Sequence, residues 1–204
     1  MQMLAAVAVA YAFGEAFGRL ACISFGCCYG KLLCRAPLPL QKILRSYCFI
    51  FRGETKKVAY ESDLSERPLI PIQAATAIIS TLAGLGGTFF FLTSHWTTAM
   101  LLPIVVTQTW RVVSETLRAD YRGSGRISAY QLMAIAALVY SLGWAAVLEP
   151  ATVTPPNVLT GLRALMSTPV LLFLEILWIA IFLYMGRSSV TAATLSFHVV
   201  RENF

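Results

Sequence analysis

The stretch Ile70–Leu92, IPIQAATAIISTLAGLGGTFFFL, carries no charged side chain over its 23 residues. As a helix rising 1.5 Å per residue it would reach about 34 Å, enough to cross a hydrocarbon layer of about 30 Å. Ile127–Leu148 is a second uncharged run. Three further apolar stretches carry ionisable groups: Met1–Phe25 holds Glu15 and Arg19, Ala99–Leu117 holds Arg111 and Glu115, and Pro169–Met185 holds Glu175. Backbone polar groups in lipid must bond within their own segment, so all five stretches are expected to be helices. The expected fold is an all-α integral membrane protein with about five transmembrane helices and a basic extramembrane loop after the first. Residues 1–185 form one helical domain in this reading, with an extramembrane insertion at about 26–69, and residues 186–204 form a polar tail.

Composition points the same way. Of 204 residues, 57% are apolar and 13% charged, with a mean hydropathy of +0.69. Soluble domains run nearer 45–50% apolar and about 25% charged, and disordered chains are less hydrophobic still. The connections differ in kind: Thr93–Thr98 is a tight turn, Tyr121–Arg126 a short Gly/Arg loop, and Glu149–Thr168 Pro-rich and polar. Met1–Phe25 lacks a basic leading region and carries a carboxylate and a guanidinium inside, so it is not read as a cleaved signal.

The net charge of +6 is concentrated. Lys31, Arg35, Lys42, Arg45, Arg52, Lys56, Lys57 and Arg67 are half of all the basic residues, opposed in that loop by Glu54, Glu61, Asp63 and Glu66. Such a loop beside a bilayer attracts anionic head groups. No basic stripe is interleaved with aromatics, so nucleic acid is not an expected partner. The positive-inside count would put this loop in the cytoplasm and the N-terminus outside, although arginines that bind phosphate distort that count. The five cysteines, Cys22, Cys27, Cys28, Cys34 and Cys48, have neither paired disulfide spacing nor a zinc pattern. Adjacent Cys27 and Cys28 are poor co-ligands without a His or a second pair, so no metal and no other cofactor is expected, and the cysteines read as small apolar residues.

Arg111, Glu115, Arg118 and Arg122 fall at i, i+4, i+7 and i+11, a single polar stripe on an otherwise apolar helix. Intramembrane ionisable residues are costly and face a bundle interior or a functional site; Arg118 and Arg122 could instead snorkel to the interface. On the first helix Glu15, Arg19 and Cys22 share a face, and Gly14/Gly18 and Gly26/Gly30 make small-xxx-small pairs that would let another helix approach. A guanidinium is a planar fork of donors suited to phosphate. Arg19 and Arg111 on facing helices would hold a phospholipid head group at the bilayer edge, with Glu115 orienting one of them.

Gly18-Arg19-Leu20-Ala21-Cys22 followed by Gly26-Cys27-Cys28-Tyr29-Gly30 resembles the signature segment of the bacterial prolipoprotein diacylglyceryl transferases. Arg67–Gln73 sits where that family has a second block ending near a glutamine. Trp110–Arg118 resembles its arginine–glutamate block, and Ser128-Ala129-Tyr130-Gln131 the block before the final helix. Together the blocks cover roughly residues 11–148. The departures are specific: Ala21 stands for Gly, Ile70 for His, and Ala75 and Thr76 for Tyr and Glu. The family's preceding spans, with their His-Gly-Gly block, have no counterpart here, so the reading is a divergent or N-terminally incomplete member. No general base is assigned, because His95 belongs to the turn a bilayer away from Arg111.

The resemblance implies transfer of a diacylglyceryl group from phosphatidylglycerol to the lipobox cysteine thiol of a prolipoprotein, with release of glycerol phosphate. It implies that Arg19, Arg111 and Glu115 carry the reaction and that Gly18, Cys22, Gly26, Gly30, Gln73, Arg118 and Gln131 line the substrate site. The implied partners are phosphatidylglycerol, prolipoprotein signal peptides and membrane lipid. The implied location is the bacterial plasma (inner) membrane, multi-pass, with the signature arginine and the loop after it facing outward. Two other readings remain: a phospholipid-binding member without catalysis, and a small transporter subunit, for which the sequence shows no paired repeats or matching broken helices.

Overall fold

The computed structural model describes residues 1–120, 127–148 and 155–185. The chain divides into two compact units, residues 1–156 and 157–204. In the first, four long helices follow one another: α1 (Gln2–Phe25), then, after two short helices α2 (Leu38–Leu44) and α3 (Lys57–Ser62), α4 (Ile72–Leu92), α5 (Trp96–Thr116) and α6 (Ala129–Val147). The second unit holds α7 (Val158–Leu165) and α8 (Thr168–Met185). No strand forms among the described residues, and the fold is an all-α membrane protein, as expected.

All five stretches expected to be membrane helices are helical, as α1, α4, α5, α6 and α8. Among the described residues α1, α4 and α6 are each long and apolar enough to cross a membrane alone. The pair α7–α8, bent by 65°, makes a fourth if taken as one broken span. At 21 residues α5 has the length but not the hydropathy. The physical reason is its position: it packs against α1, α4 and α6, so its polar positions meet protein where a lone span would meet lipid.

Close packing rests on different small residues from those expected. Ala5, Ala8, Ala12 and Ala16 form the buried face of α1, whereas a Cβ added at Gly14 or Gly18 would meet nothing within 4 Å. Between the long helices, the glycines that permit approach are on α4. A Cβ at Gly87 would lie 2.5 Å from the ring of Pro103 inside α5 and 2.9 Å from Val9, and one at Gly84 would press on the Phe13 ring at 3.0 Å. Large side chains such as Phe17, Ile78, Leu82 and Phe89 point outward, the arrangement lipid requires.

The basic segment after α1 folds against the helix ends. Bridges join Leu32 and Phe49 to Leu69, and Gly30 to Arg118, over an apolar cluster of Tyr29, Phe51, Val58 and Leu69. Two of its lysines cap helices rather than standing free for head groups. Lys56 Nζ donates to Ser24 O at 2.5 Å and Lys31 Nζ to Thr116 O at 2.8 Å, placing positive charge at the negative ends of α1 and α5.

Candidate functional site

Residues on one face of α1 meet residues on one face of α5. Glu15 Oε1 accepts from Arg19 Nη2 at 3.2 Å and from Arg111 Nη2 at 2.8 Å. Tyr11 OH donates to Glu15 Oε2 at 3.0 Å, and accepts from Arg111 Nη2 and from Gln108 Nε2, both at 3.0 Å. The Glu15 side chain is 7% exposed while the arginines are 19% and 25% exposed. The carboxylate is thus the buried anchor and the guanidinium groups form its more open side. The two arginines expected to converge do so, but Glu15 holds them. Arg111 was expected to pair with Glu115 one turn on; that expectation is corrected here, because the sequence-distant carboxylate on α1 is the closer partner.

Glu115 belongs to a second cluster. Its Oε1 accepts from Arg118 Nη1 at 3.4 Å and its Oε2 from Ser128 Oγ at 3.4 Å. Arg118 also forms a two-pronged pair with Asp120, Nε to Oδ1 at 2.9 Å and Nη2 to Oδ2 at 3.2 Å. Its side chain is 4% exposed, so it is buried and does not snorkel. Burial opposes its charge, but the Asp120 hydrogen bonds and the Cys28 sulfur outweigh this and keep it protonated. The expected single stripe is therefore broken. α5 ends at Thr116, and Arg118 lies past it in the bridge with Gly30. Arg122 lies outside the described residues.

That bridge explains Gly30. Lys31 N donates to Leu117 O at 2.9 Å and Ala119 N to Tyr29 O at 3.1 Å, while a Cβ on Gly30 would stand 2.4 Å from Ile70 O. Only glycine lets the signature segment pass between the end of α5 and the start of α4. Gly26 has φ 62 and closes α1 in the left-handed region. Gln73 at the head of α4 donates to Cys27 O at 2.9 Å, tying α4 to the same turn; its Oε1 is buried with no partner among the described residues. Gln131 completes a capping box with Ser128 through its Oε1 and donates from Nε2 to Val112 O at 3.1 Å, so one end of its amide closes the start of α6 and the other holds α6 against α5. Gly18 lies one residue before Arg19 in open space.

The fold also brings Cys22 to Cys27 and Cys28, with the three sulfurs within 4.8 Å of one another. Spacing had considered the adjacent pair alone; the αL turn at Gly26 supplies the third thiol. Thiol hydrogen bonds from Cys22 and Cys27, against the cost of burial and with the Arg118 and Arg19 charges nearby, draw the Cys28 thiol below its ordinary value. Tyr11, Gln108 and Asp120 were missed from sequence. Tyr11 and Glu15 at i, i+4, and Gln108 and Arg111 at i, i+3, were the available signals. His95 caps the far end of α5, roughly 24 Å from Arg111 at 1.5 Å per residue.

Between α1, α5 and α6 a groove of about 370 Å³ runs along apolar residues including Leu4, Val7, Met133 and Trp144 and ends at Tyr11, Gln108 and Arg111. An apolar trough closed by a guanidinium suits a molecule with a long hydrocarbon tail and an anionic head.

The sequence model of one protein family, prolipoprotein diacylglyceryl transferase, matches residues 1–147. No curated protein and no solved structure matches the chain.

Proposed function

The chain belongs to the prolipoprotein diacylglyceryl transferase family, and from that membership we propose that it transfers the diacylglyceryl group of phosphatidylglycerol to the thiol of a lipobox cysteine in the plasma membrane of a bacterium. The observation that carries the reading is the convergence of Arg19 and Arg111 on one Glu15 oxygen, with Arg111 also lining one end of the apolar groove. Acyl chain occupies the groove, and the phosphodiester displaces part of the Glu15 contact to sit on the two guanidinium forks. As sulfur attacks the glyceryl carbon, the C–O bond to phosphate breaks and negative charge builds on the departing oxygen. Two prepositioned cations in a site of low dielectric stabilise that charge where it develops. Arg118, Glu115 and Asp120 hold the glycine segment of the signature against the end of α5, and so set the shape of the site from outside the phosphate. The loop after α1 faces outward in this proposal.

The test is reconstitution of the protein with phosphatidylglycerol and a lipobox peptide. A thioether-linked lipopeptide and glycerol phosphate are expected. Arg111→Ala abolishes both, and Arg111→Lys, which keeps the charge but loses the fork, lowers turnover by at least about tenfold, roughly 1.4 kcal/mol. Phosphatidylglycerol binding without any product would overturn the transferase reading and leave a lipid-binding member of the family.

A further inference from the structure

The sulfurs of Cys22, Cys27 and Cys28 lie within 4.8 Å of one another; Arg118 hydrogen-bonds the Cys28 sulfur and the Arg19 charge lies near it, but the phosphate chemistry proposed above gives the three thiols no role. They do not read as packing either, since none of the three belongs to the apolar clusters of the described residues. Two left-handed backbone positions gather them: Gly26 at φ 62, and Cys28 at φ 55, where a residue with a Cβ costs about 1 kcal/mol. The Gln73 amide fastens the Cys27 carbonyl between them.

The trio lies at the end of α1, where the backbone dipole favours positive charge. Zinc–sulfur bonds of about 2.3 Å set tetrahedral sulfurs about 3.8 Å apart, within the 4.8 Å that bounds the present separations. Three protein ligands and one vacant position are the ligand count of a zinc site that does chemistry; closed structural sites have four.

We propose that Cys22, Cys27 and Cys28 bind a zinc-class divalent cation whose fourth position takes the sulfur of the acceptor cysteine. The proposal rests on the transferase reading, because it gives that reaction its nucleophile. The acceptor thiol loses its proton to solvent as sulfur binds the cation, which keeps it deprotonated at neutral pH. A sulfur lone pair then forms the C–S bond while the C–O bond to phosphate breaks, and that electron pair leaves on the phosphate oxygen. Arg19 is three residues before Cys22, about 4.5 Å along the helix, so nucleophile and leaving group meet within one turn. The thioether product is a weaker ligand than a thiolate and departs. No oxidation state changes, and no histidine is needed as a base. Copper(I) also favours thiolates, but its three-coordinate form would leave no place for the acceptor sulfur.

The experiment uses the full chain in phosphatidylglycerol vesicles, with zinc measured per protein and cobalt(II) as the spectroscopic probe. About one zinc is expected to stay bound through gel filtration. It is lost in Cys22→Ser and in the Cys27→Ser, Cys28→Ser double variant, with helix content by circular dichroism unchanged. In cobalt-loaded protein a lipobox peptide alters the thiolate charge-transfer band, and the same peptide with Cys→Ser does not. Chelator treatment of the unaltered protein lowers thioether formation at least tenfold, and zinc restores it, which avoids any folding defect of the variants. Absence of bound zinc, retention by the serine variants, or a band indifferent to the peptide thiol overturns the proposal. So does full transfer by the metal-stripped protein, which leaves the transferase reading standing. Bound zinc and a peptide-dependent band without any transfer support the metal site and overturn the transferase reading.

Discussion

Glu15 holds the guanidinium groups of both Arg19 and Arg111. With Tyr11 and Gln108 it makes a polar set whose members are joined by hydrogen bonds of 2.8 to 3.2 Å. Glu15→Gln keeps the shape and removes the counter-charge, leaving two cations in one recess. We expect it to destabilise the detergent-solubilised protein by about 1–3 kcal/mol, read as a lower Tm, with phosphatidylglycerol restoring more of the loss than zwitterionic lipid does. Tyr29 offers a pH signature away from the bilayer. It is fully buried, it hydrogen-bonds to Ser62 and donates to Glu61 Oε2 at 3.0 Å, and burial raises its hydroxyl to about 12. The folded state thus favours the neutral phenol. That contribution is complete below pH about 10, where an unfolded tyrosine starts to ionise, and is lost as pH rises towards 12. Tyr29→Phe should flatten the alkaline limb of a stability–pH curve over this range.

At the scale of helices, the decisive contacts are those where backbone replaces side chain. Gly87 admits the Pro103 ring and Gly30 admits the Ile70 carbonyl; Gly14 admits nothing. Gly14→Ala should therefore raise Tm, by about 0.4–1 kcal/mol of backbone entropy, while Gly87→Ala should lower it by about 1–3 kcal/mol through forced separation of α4 from α5. Parallel thermal melts of the two variants check the pair. The GxxxG spacing at Gly14 and Gly18 suggested the reverse, because spacing names a face without saying which neighbour it meets. What was legible from sequence was the set of long apolar runs and the presence of charges inside three of them, since hydropathy and period are local properties. The partner of Arg111 was not legible. Glu15 is 96 residues away, and only the packing of α1 on α5 makes it closer than the carboxylate one turn on. Nor was the exit of Arg118 from the helix: past Thr116 the backbone of Leu117–Ala119 bridges instead to the extended segment of Tyr29, Gly30 and Lys31.

For the whole molecule, orientation in the membrane follows from which charges are occupied. Lys31 and Lys56 are engaged at helix ends, Lys57 pairs with Glu61 at 3.5 Å, and Arg118 is buried with two carboxylates. These residues inflate a positive-inside count without facing anionic lipid. We therefore expect the loop after α1 on the outer face. The exposed Cys34 provides the check: a variant with Cys34 as its only cysteine should react with an impermeant maleimide in intact spheroplasts. Labelling only after lysis would reverse the orientation. The signature resemblance read from sequence and the family match over residues 1–147 agree on the chemistry of the family, while the third thiol of the cysteine cluster needed the folded turn to be seen.

The groove between α1, α5 and α6 is walled in part by side chains that face outward, among them Val7, Met133 and Tyr140. A molecule can slip in sideways from the surrounding leaflet without passing through water. Kinetics at such a trough obey two-dimensional dilution: turnover should follow the mole fraction of the anionic lipid, falling when inert lipid is blended in. Adding more buffer around the same vesicles should leave it unchanged.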